Sequence, residues 1–447
     1  IMKGSDGGDA RRRQLMDSLG MPFSEYRTTI AATGFTERVS IAWSDIRQFC
    51  DRALTHIDAT IADAQRPDGL YHSYNVLRLY DEGGVNAAAI EHLPEMFEGQ
   101  VAVMSSGVLS PNESADLVDR MFDSRLYRSD VESFVLYPAT RPNSFLAKNV
   151  IPADAIDGNP LLAALVVAGD RSIVVRDAEG HVRFRADLDD RAALRRMINE
   201  LVANEQWGAL AQHYGEAVVT IYEDVFDHRS YTGRSRSMYA YEGIGSVYWH
   251  MVAKLLVSIQ AAIRSSESGN HEHAITHRLV DAYWRVRRGS GRSKSAAQWG
   301  AIPTDPYSHS PAHAGAQQPG MTGLAKEEVL ARLGELGVLV SGGCITFSAS
   351  LVRHSELLES PQQWSITDID GAPLTLDLKP GTYAFTLCQT PVVVQYGDLP
   401  ARVEVTFRDG RVEQHSDLAL DPDVTAAIFR RSGTVAMISV ALPALPV

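Results

Sequence analysis

Four stretches of the sequence crowd imidazole, phenol, amide and carboxylate groups together more densely than core packing requires. They are GLYHSYN at 69–75, DHRSYTGRS at 227–235, YAYEGIGSVYWH at 239–250 and PTDPYSHSP at 303–311, the last continuing to His313, Gln317 and Gln318. In the third, a helix running on from Gly243 places Glu242, Ser246, Trp249 and His250 on one face, at i, i+4, i+7 and i+8. Such a face suits a sugar, because an indole stacks on a pyranose ring while a carboxyl and an imidazole handle hydroxyls and protons. Tyr241 stands beside that carboxyl. The competing reading is a helix-entry Glu held by the helix dipole, with buried aromatics behind it.

The fourth stretch offers Asp305 as a second carboxylate, with Tyr307, His309, Gln317 and Gln318 as candidate substrate contacts. Prolines at 303, 306, 311 and 319 stiffen this loop and lower the entropy lost on holding polar groups in place. His309 and His313 have a His-x3-His spacing, but Pro311 between them breaks the helix that gives such a pair its geometry, so no metal is expected. Here the alternative is a loop that packs across a helical domain. In the second stretch His228, Arg229 and Arg234 surround hydroxyls and Gly233, a composition that binds phosphate or a carboxylate through charge-assisted bonds, or else forms a solvated basic turn. In the first, Tyr71, His72, Tyr74 and Asn75 either line a pocket or make ordinary tertiary hydrogen bonds.

Other chemistries are excluded by what is missing. No GxGxxG follows a strand, and the sequence holds no GxxxxGKS/T, HExxH, GxSxG or EF-hand loop, so no cofactor is expected. Cys50, Cys344 and Cys388 lie far apart without a CxxC, which rules out a disulfide scaffold and a thiolate zinc site. The 55 acidic side chains outnumber 42 basic ones, giving a formal charge of −13. That balance, with a pI near 5.5, argues against nucleic acid or an anionic membrane as a partner. No apolar run reaches the ~18 residues of a membrane span. The expected setting is soluble, cytoplasmic or periplasmic.

The elements that must position these stretches follow from periodicity. The chain has 447 residues, 45% of them apolar and 22% charged, enough for a sizeable core and for two or three domains at ~150 residues each. Residues 1–40 read as a lead-in that opens with a loop; because the first residue is Ile1, the native start and other segments of a longer chain are expected beyond it. Helical spacing is expected over 41–64 (Ile46, Phe49, Leu54, Ile57, Ile61) and over a stretch carrying Ile90, Leu93, Met96, Phe97, Val101 and Met104. Ser110-Pro111-Asn112-Glu113 predicts a capping box at the next helix start. Two short strands are expected around Ala178-Glu179-Gly180, then helices over about 190–203, 207–225, 244–263, 274–286 and 325–336, with a long loop from Gly289 to Gly323. After Gly337 the period changes to short strands with turn signals such as Asp370-Gly371, Pro380-Gly381 and Asp409-Gly410. The fold class is therefore mainly α: a helical domain over 41–337 and a small all-β sandwich domain over 338–447.

A helical domain with aromatic and acidic loops, followed by a β-sandwich, resembles the (α/α)-toroid carbohydrate enzymes: the six-hairpin glycosidases, the cellobiose-phosphorylase clan and several polysaccharide lyases. The strings GLYHSYN (69–75), YEGIGSVYWHMVAKLL (241–256) and PTDPYSHSPAHAGAQQPGMTG (303–323) are similar to those of large bacterial proteins linked to that clan. The string RGSGRSK at 288–294 departs from the more apolar GxGxxKSP-like string expected there. The resemblance implies cleavage of a glycosidic bond in an oligo- or polysaccharide. A hydrolase would use Glu242 as general acid and Asp305 as base, or the two with roles exchanged, about 6.5–9.5 Å apart if inverting. A phosphorylase would replace water by phosphate and use His228, Arg229 and Arg234 to hold it. The alternatives are a lyase acting on a uronate glycan through Tyr and His, and a non-catalytic glycan-binding or scaffold part of a larger protein.

Overall fold

The computed structural model describes residues 8–35, 38–82, 84–93, 95–136, 138, 147–226, 247, 249–269, 273–290, 295, 325–398 and 400–443. The chain divides into two compact units, Ile1–Leu324 and Ala325–Val447.

The first unit opens with helices Gly8–Thr33 (α1) and Trp43–Asp63 (α2), so much of the expected lead-in is helical. Strands Asn75–Glu82 (β1) and Val85–His92 (β2) then pair antiparallel, with Leu77 opposite Ile90 and Leu79 opposite Ala88. This hairpin corrects the helix expected from Ile90. Residues Ile90 and Leu93 are three apart, but Ile90 serves a two-residue period, and Gly84 at φ +85° lets the chain reverse just before it.

The helix begins only at Phe97, as Phe97–Ser106 (α3), and ends on Gly107 in the left-handed conformation. Helix Pro111–Asp123 (α4) starts as its sequence dictates. Ser110 Oγ accepts the Glu113 N–H at 3.3 Å and the Glu113 carboxylate accepts the Ser110 N–H at 2.9 Å, with Pro111 at the first helical position. The short strands Tyr127–Arg128 (β3) and Ser133–Phe134 (β4) follow.

A separate module comes next: Ala153–Asp157 (α5), Pro160–Ala168 (α6), strands Val174–Arg176 (β5) and Val182–Phe184 (β6), then Arg191–Val202 (α7) and Gly208–Phe226 (α8). Its own buried cluster runs from Ile151 to Phe226, with Leu162, Phe184, Leu194 and Tyr222 at its centre. Asn159 caps α6 by accepting the Leu162 N–H at 3.1 Å. Asp177 Oδ1 shapes the β5–β6 turn by accepting the N–H groups of Glu179 and His181 at 3.0 and 2.8 Å.

Helices Trp249–Ser268 (α9) and His273–Arg288 (α10) complete the described part of this unit. They pack against each other and against α3 and α4, so elements before and after the module share one bundle. Arg278 on α10 reaches Asp116 and Asp119 on α4 at 2.7 and 2.6 Å. Gln260 on α9 donates to the buried Tyr283 hydroxyl on α10 at 3.1 Å. No helix among the described residues is long and apolar enough to cross a membrane.

The second unit begins with helix Ala325–Glu335 (α11) and the hairpin Val338–Ser341 (β7) and Cys344–Phe347 (β8). A second hairpin pairs Gln362–Thr367 (β9) with Pro373–Leu378 (β10). Strands Thr382–Leu387 (β11), Thr390–Gly397 (β12), Arg402–Phe407 (β13), Val412–His415 (β14) and Val435–Pro443 (β15) form one mixed sheet in the order β11-β12-β15-β13-β14. Within it β12 and β15 run parallel and the other neighbours antiparallel. That parallel pairing needs a crossover, and helix Pro422–Phe429 (α12), between β14 and β15, lies in it. The expectation of an all-β domain is thereby corrected. Asp421 caps α12 by accepting the Asp423 N–H at 3.0 Å, and Val424 and Ile428 enter the core beside Val392, Val403 and Ile438.

Candidate functional site

The first of the four polar stretches folds into a tight knot at the end of α2. Gly69 reverses the chain at φ +79°, its N–H bonded to the Arg66 carbonyl at 2.9 Å. Arg120 from α4 lies against it and donates to the Asp68 carbonyl at 3.0 Å. Arg66 bridges two carboxylates, Asp68 at 2.7 Å and Glu95 at 2.9 Å. The next residue pair is held by α3: Gln100, fully buried, accepts the Tyr71 N–H at 2.8 Å and donates to the Tyr71 carbonyl at 2.9 Å and the Met96 carbonyl at 3.0 Å. One amide therefore satisfies both backbone groups of Tyr71 where water has no access.

His72 continues from this clamp, its N–H bonded to the Ala64 carbonyl at 2.9 Å. Its ring stacks on that of His92 with centroids 3.9 Å apart and planes 10° from parallel. His92 in turn donates through Nδ1 to the Asn75 side-chain oxygen at 2.7 Å. Across the loop, Ser73 packs so closely on Gly99 that a Cβ there would stand 2.0 Å from its hydroxyl. Burial, then the charges that His92 and Arg66 carry or acquire, hold the His72 pKa below its ordinary value. Its buried Nδ1 has no hydrogen-bond partner among the described residues. Burial raises the Tyr71 phenol, with Glu113 adding to the effect.

At neutral pH this knot presents a neutral imidazole, a second imidazole oriented by an amide, and an arginine committed to carboxylates. It can exchange hydrogen bonds with sugar hydroxyls.

Of the expected site residues, the structure brings Tyr71, His72, Tyr74 and Asn75 together. Trp249 and His250 open α9, which packs on α3, the helix that carries Gln100. Tyr71 and Trp249 are only 6% and 5% exposed, so their rings are core-packed; the solvent-facing members of the set are His72, Tyr74, Asn75 and His250. Val247 forms a β-bridge with Val135 and the helix is described from Trp249, which corrects the expected helix at Val247. Glu242, Asp305, His228, Arg229, Arg234, Tyr241, Tyr307, His309, Gln317 and Gln318 lie outside the described residues. Sequence reasoning missed His92, Gln100, Arg66 and Glu95. The first two are joined to the 71–75 stretch by hairpin pairing and tertiary contact, and the only local signal was Arg66 beside the Pro67-Asp68-Gly69 turn.

The same Val135–Val247 bridge has a topological consequence. It brings together the chain just before and just after the module of α5–α8, closing a neck around a segment with its own core. Residues 142–229 match the family model described as GH149 phosphorylase insertion domain 2. No curated protein matches the chain. The matched residues bracket the independent core from Ile151 to Phe226. Through this inserted module the chain is related to the glycoside hydrolase and phosphorylase families.

Proposed function

We propose that this chain is part of an enzyme that cleaves a glycosidic bond, with phosphate rather than water as the acceptor. The observation that carries the reading is the match of residues 142–229 to a phosphorylase insertion domain, on a segment that leaves and re-enters a helical bundle through one neck. In this reading Glu242, protonated, gives its proton to the departing glycosidic oxygen. A phosphate oxygen forms the new bond to the anomeric carbon as the old carbon–oxygen bond breaks, and His228, Arg229 and Arg234 hold the phosphate. Asp305 is a base only if water is the nucleophile. His72, Tyr74, Asn75, Tyr241, His250, Tyr307, His309, Gln317 and Gln318 are the proposed sugar contacts, with Tyr71 and Trp249 supporting them from the core. The bundle of α3, α4, α9 and α10 is, in this reading, part of an (α/α) toroid, and the second unit is the domain that follows it in sequence, as a β-sandwich does in those enzymes.

A second reading, a non-catalytic glycan-binding or scaffold part of a larger protein, is favoured by one fact: the matched segment is an insertion and not a catalytic domain. The lyase reading draws less support, because a phenol raised by burial, as at Tyr71, is a poor base.

The test is a panel of oligosaccharides incubated with the protein with and without inorganic phosphate. Release of sugar 1-phosphate only when phosphate is present is the expected result. Reducing sugar formed equally without phosphate would reassign the protein as a hydrolase, and absorbance from an unsaturated uronate as a lyase. Saturable glycan binding with no turnover would support the scaffold reading.

A further inference from the structure

His92 is exposed, yet its ring is held in two directions at once. Asn75 and His92 are the last pair of the β1–β2 ladder, so their side chains leave the same face of the hairpin at its open end. In the plane of the ring, the Asn75 amide oxygen accepts from Nδ1 at 2.7 Å. Against the face of the ring lies His72, with centroids 3.9 Å apart and planes 10° from parallel. Both supports are themselves anchored. The Leu93 N–H closes the mouth of the hairpin on the Tyr74 carbonyl at 3.1 Å, and the His72 N–H is bonded to the Ala64 carbonyl at 2.9 Å.

A neutral imidazole carries one N–H and one lone pair, and the bond made by one nitrogen decides the role of the other. With its proton on Nδ1 and given to Asn75, His92 keeps its lone pair on Nε2. That nitrogen has no hydrogen-bond partner among the described residues, and neither has the Asn75 NH2 group, which is exposed beside it. The two side chains therefore offer one acceptor and one donor. A carboxylate or a phosphate is chiefly an acceptor and does not satisfy the lone pair. A cationic donor is opposed by Arg66, whose charge already disfavours a proton on His72. Hydroxyls, which both donate and accept, match the pair without a charge. Because the ring is fixed before a ligand arrives, little rotamer freedom is lost on binding.

We propose, on the reading of this chain as part of an enzyme that acts on a glycan, that His92 is a sugar contact of the 69–75 site, accepting a hydroxyl hydrogen through Nε2. Asn75 is then its positioning residue as well as a contact: the amide oxygen sets the His92 tautomer, and the amide NH2 donates to a neighbouring hydroxyl of the same sugar.

Histidine-selective nitrogen-15 labelling of the whole chain at mildly alkaline pH reads the tautomer directly, the His92 signals being those lost in His92→Phe or His92→Gln. Nδ1 should resonate as a protonated nitrogen and Nε2 as an unprotonated one. Titration with short gluco-, manno- and xylo-oligosaccharides should shift Nε2 and leave Nδ1 nearly unmoved. His92→Phe keeps the stack on His72 and should weaken binding of the sugar that causes the shift by about three- to tenfold, the effect of one neutral hydrogen bond. Asn75→Leu should mix the two tautomers and weaken binding further, whereas Asn75→Asp, which keeps an accepting oxygen, should restore the Nδ1–H form. A proton found on Nε2 of the wild-type protein overturns the proposal. So does a glycan that binds without moving Nε2, a result that leaves the glycan reading standing. Absence of saturable binding by every glycan tried overturns both.

Discussion

His72 and His92 stack face to face, with ring centroids 3.9 Å apart, where the chain enters and leaves the β1–β2 hairpin. Two imidazolium rings at that separation repel, and Arg66 adds a further positive charge, so protonation of His72 is opposed in the folded state on top of the cost of its burial. Unfolded, the ring takes a proton near its ordinary value of 6.5; folded, it does so only at lower pH. The unfolded state therefore binds more protons in this window. Stability should fall as pH drops below 6.5 and level off once pH is below the folded pKa. Urea unfolding across that range, with His72→Phe as control, checks the sign. The variant keeps an aromatic stack and should lose the part of the acid slope that His72 contributes.

Gln100 supplies a stability test. Its amide bonds both backbone groups of Tyr71 in the core, and Gln100→Leu leaves that N–H and carbonyl buried without partners. The cost should be about 2–4 kcal/mol, the desolvation of two polar groups offset in part by the apolar burial of the leucine. Chemical denaturation measures it, and a loss under about half a kcal/mol would mean that water reaches Tyr71.

At Gly69 two costs can be separated. The residue sits at φ +79°, and an added Cβ would approach Arg120 Cδ to 2.6 Å. Gly69→Ala should destabilise by about 1–3 kcal/mol. Arg120 is the end of a flexible side chain, so in an Arg120→Ala background only the backbone strain should remain, near ~1 kcal/mol. A double-mutant cycle on unfolding free energies reads the difference, and full additivity would show that the arginine simply moves aside.

What was legible in the sequence was local. Ser110, Pro111 and Glu113 announced α4 because a capping box is made by residues three apart. Gly180 and the alternating residues around it likewise marked β5 and β6. The hairpin β1–β2 was not legible, since its mixed alanine and leucine faces carry no clean alternation and Ile90 and Leu93 imitate a helical step. Helix α12 was hidden among strands because its eight residues are too few to set a period. The candidate site divides in the same way. The stretch at 69–75 stood out by composition, whereas its partners His92 and Gln100 are ordinary residues until the fold carries them to it. The independent core from Ile151 to Phe226 was equally invisible, because a neck closed by Val135 and Val247 joins residues more than a hundred positions apart.

Within that inserted module, Tyr222 donates its hydroxyl to the Leu188 carbonyl at 2.9 Å while its ring packs on Phe184 and Phe226. Tyr222→Phe keeps the ring and removes one buried hydrogen bond, for a loss of about 1–2 kcal/mol. Because the module has a core of its own, hydrogen exchange should quicken in β6 and α8 and stay unchanged in α3 and α10. Equal acceleration throughout would show that the module and the bundle unfold as one.

The proposed chemistry makes an asymmetric prediction about the two carboxylates. If phosphate is the acceptor, it arrives already anionic and needs no general base, so Asp305→Asn should leave phosphorolysis within about tenfold of wild type unless Asp305 also binds sugar. Glu242→Gln removes the proton donor and should lower turnover by roughly 10²–10⁴. That loss should depend on the leaving group. A glycosyl fluoride or an acidic phenol departs with little help from a proton, so Glu242→Gln should approach wild-type rates on such substrates while remaining impaired on a natural glycoside. A variant equally impaired on both would have lost binding or structure instead of acid catalysis, and Glu242 would have to be withdrawn as the donor.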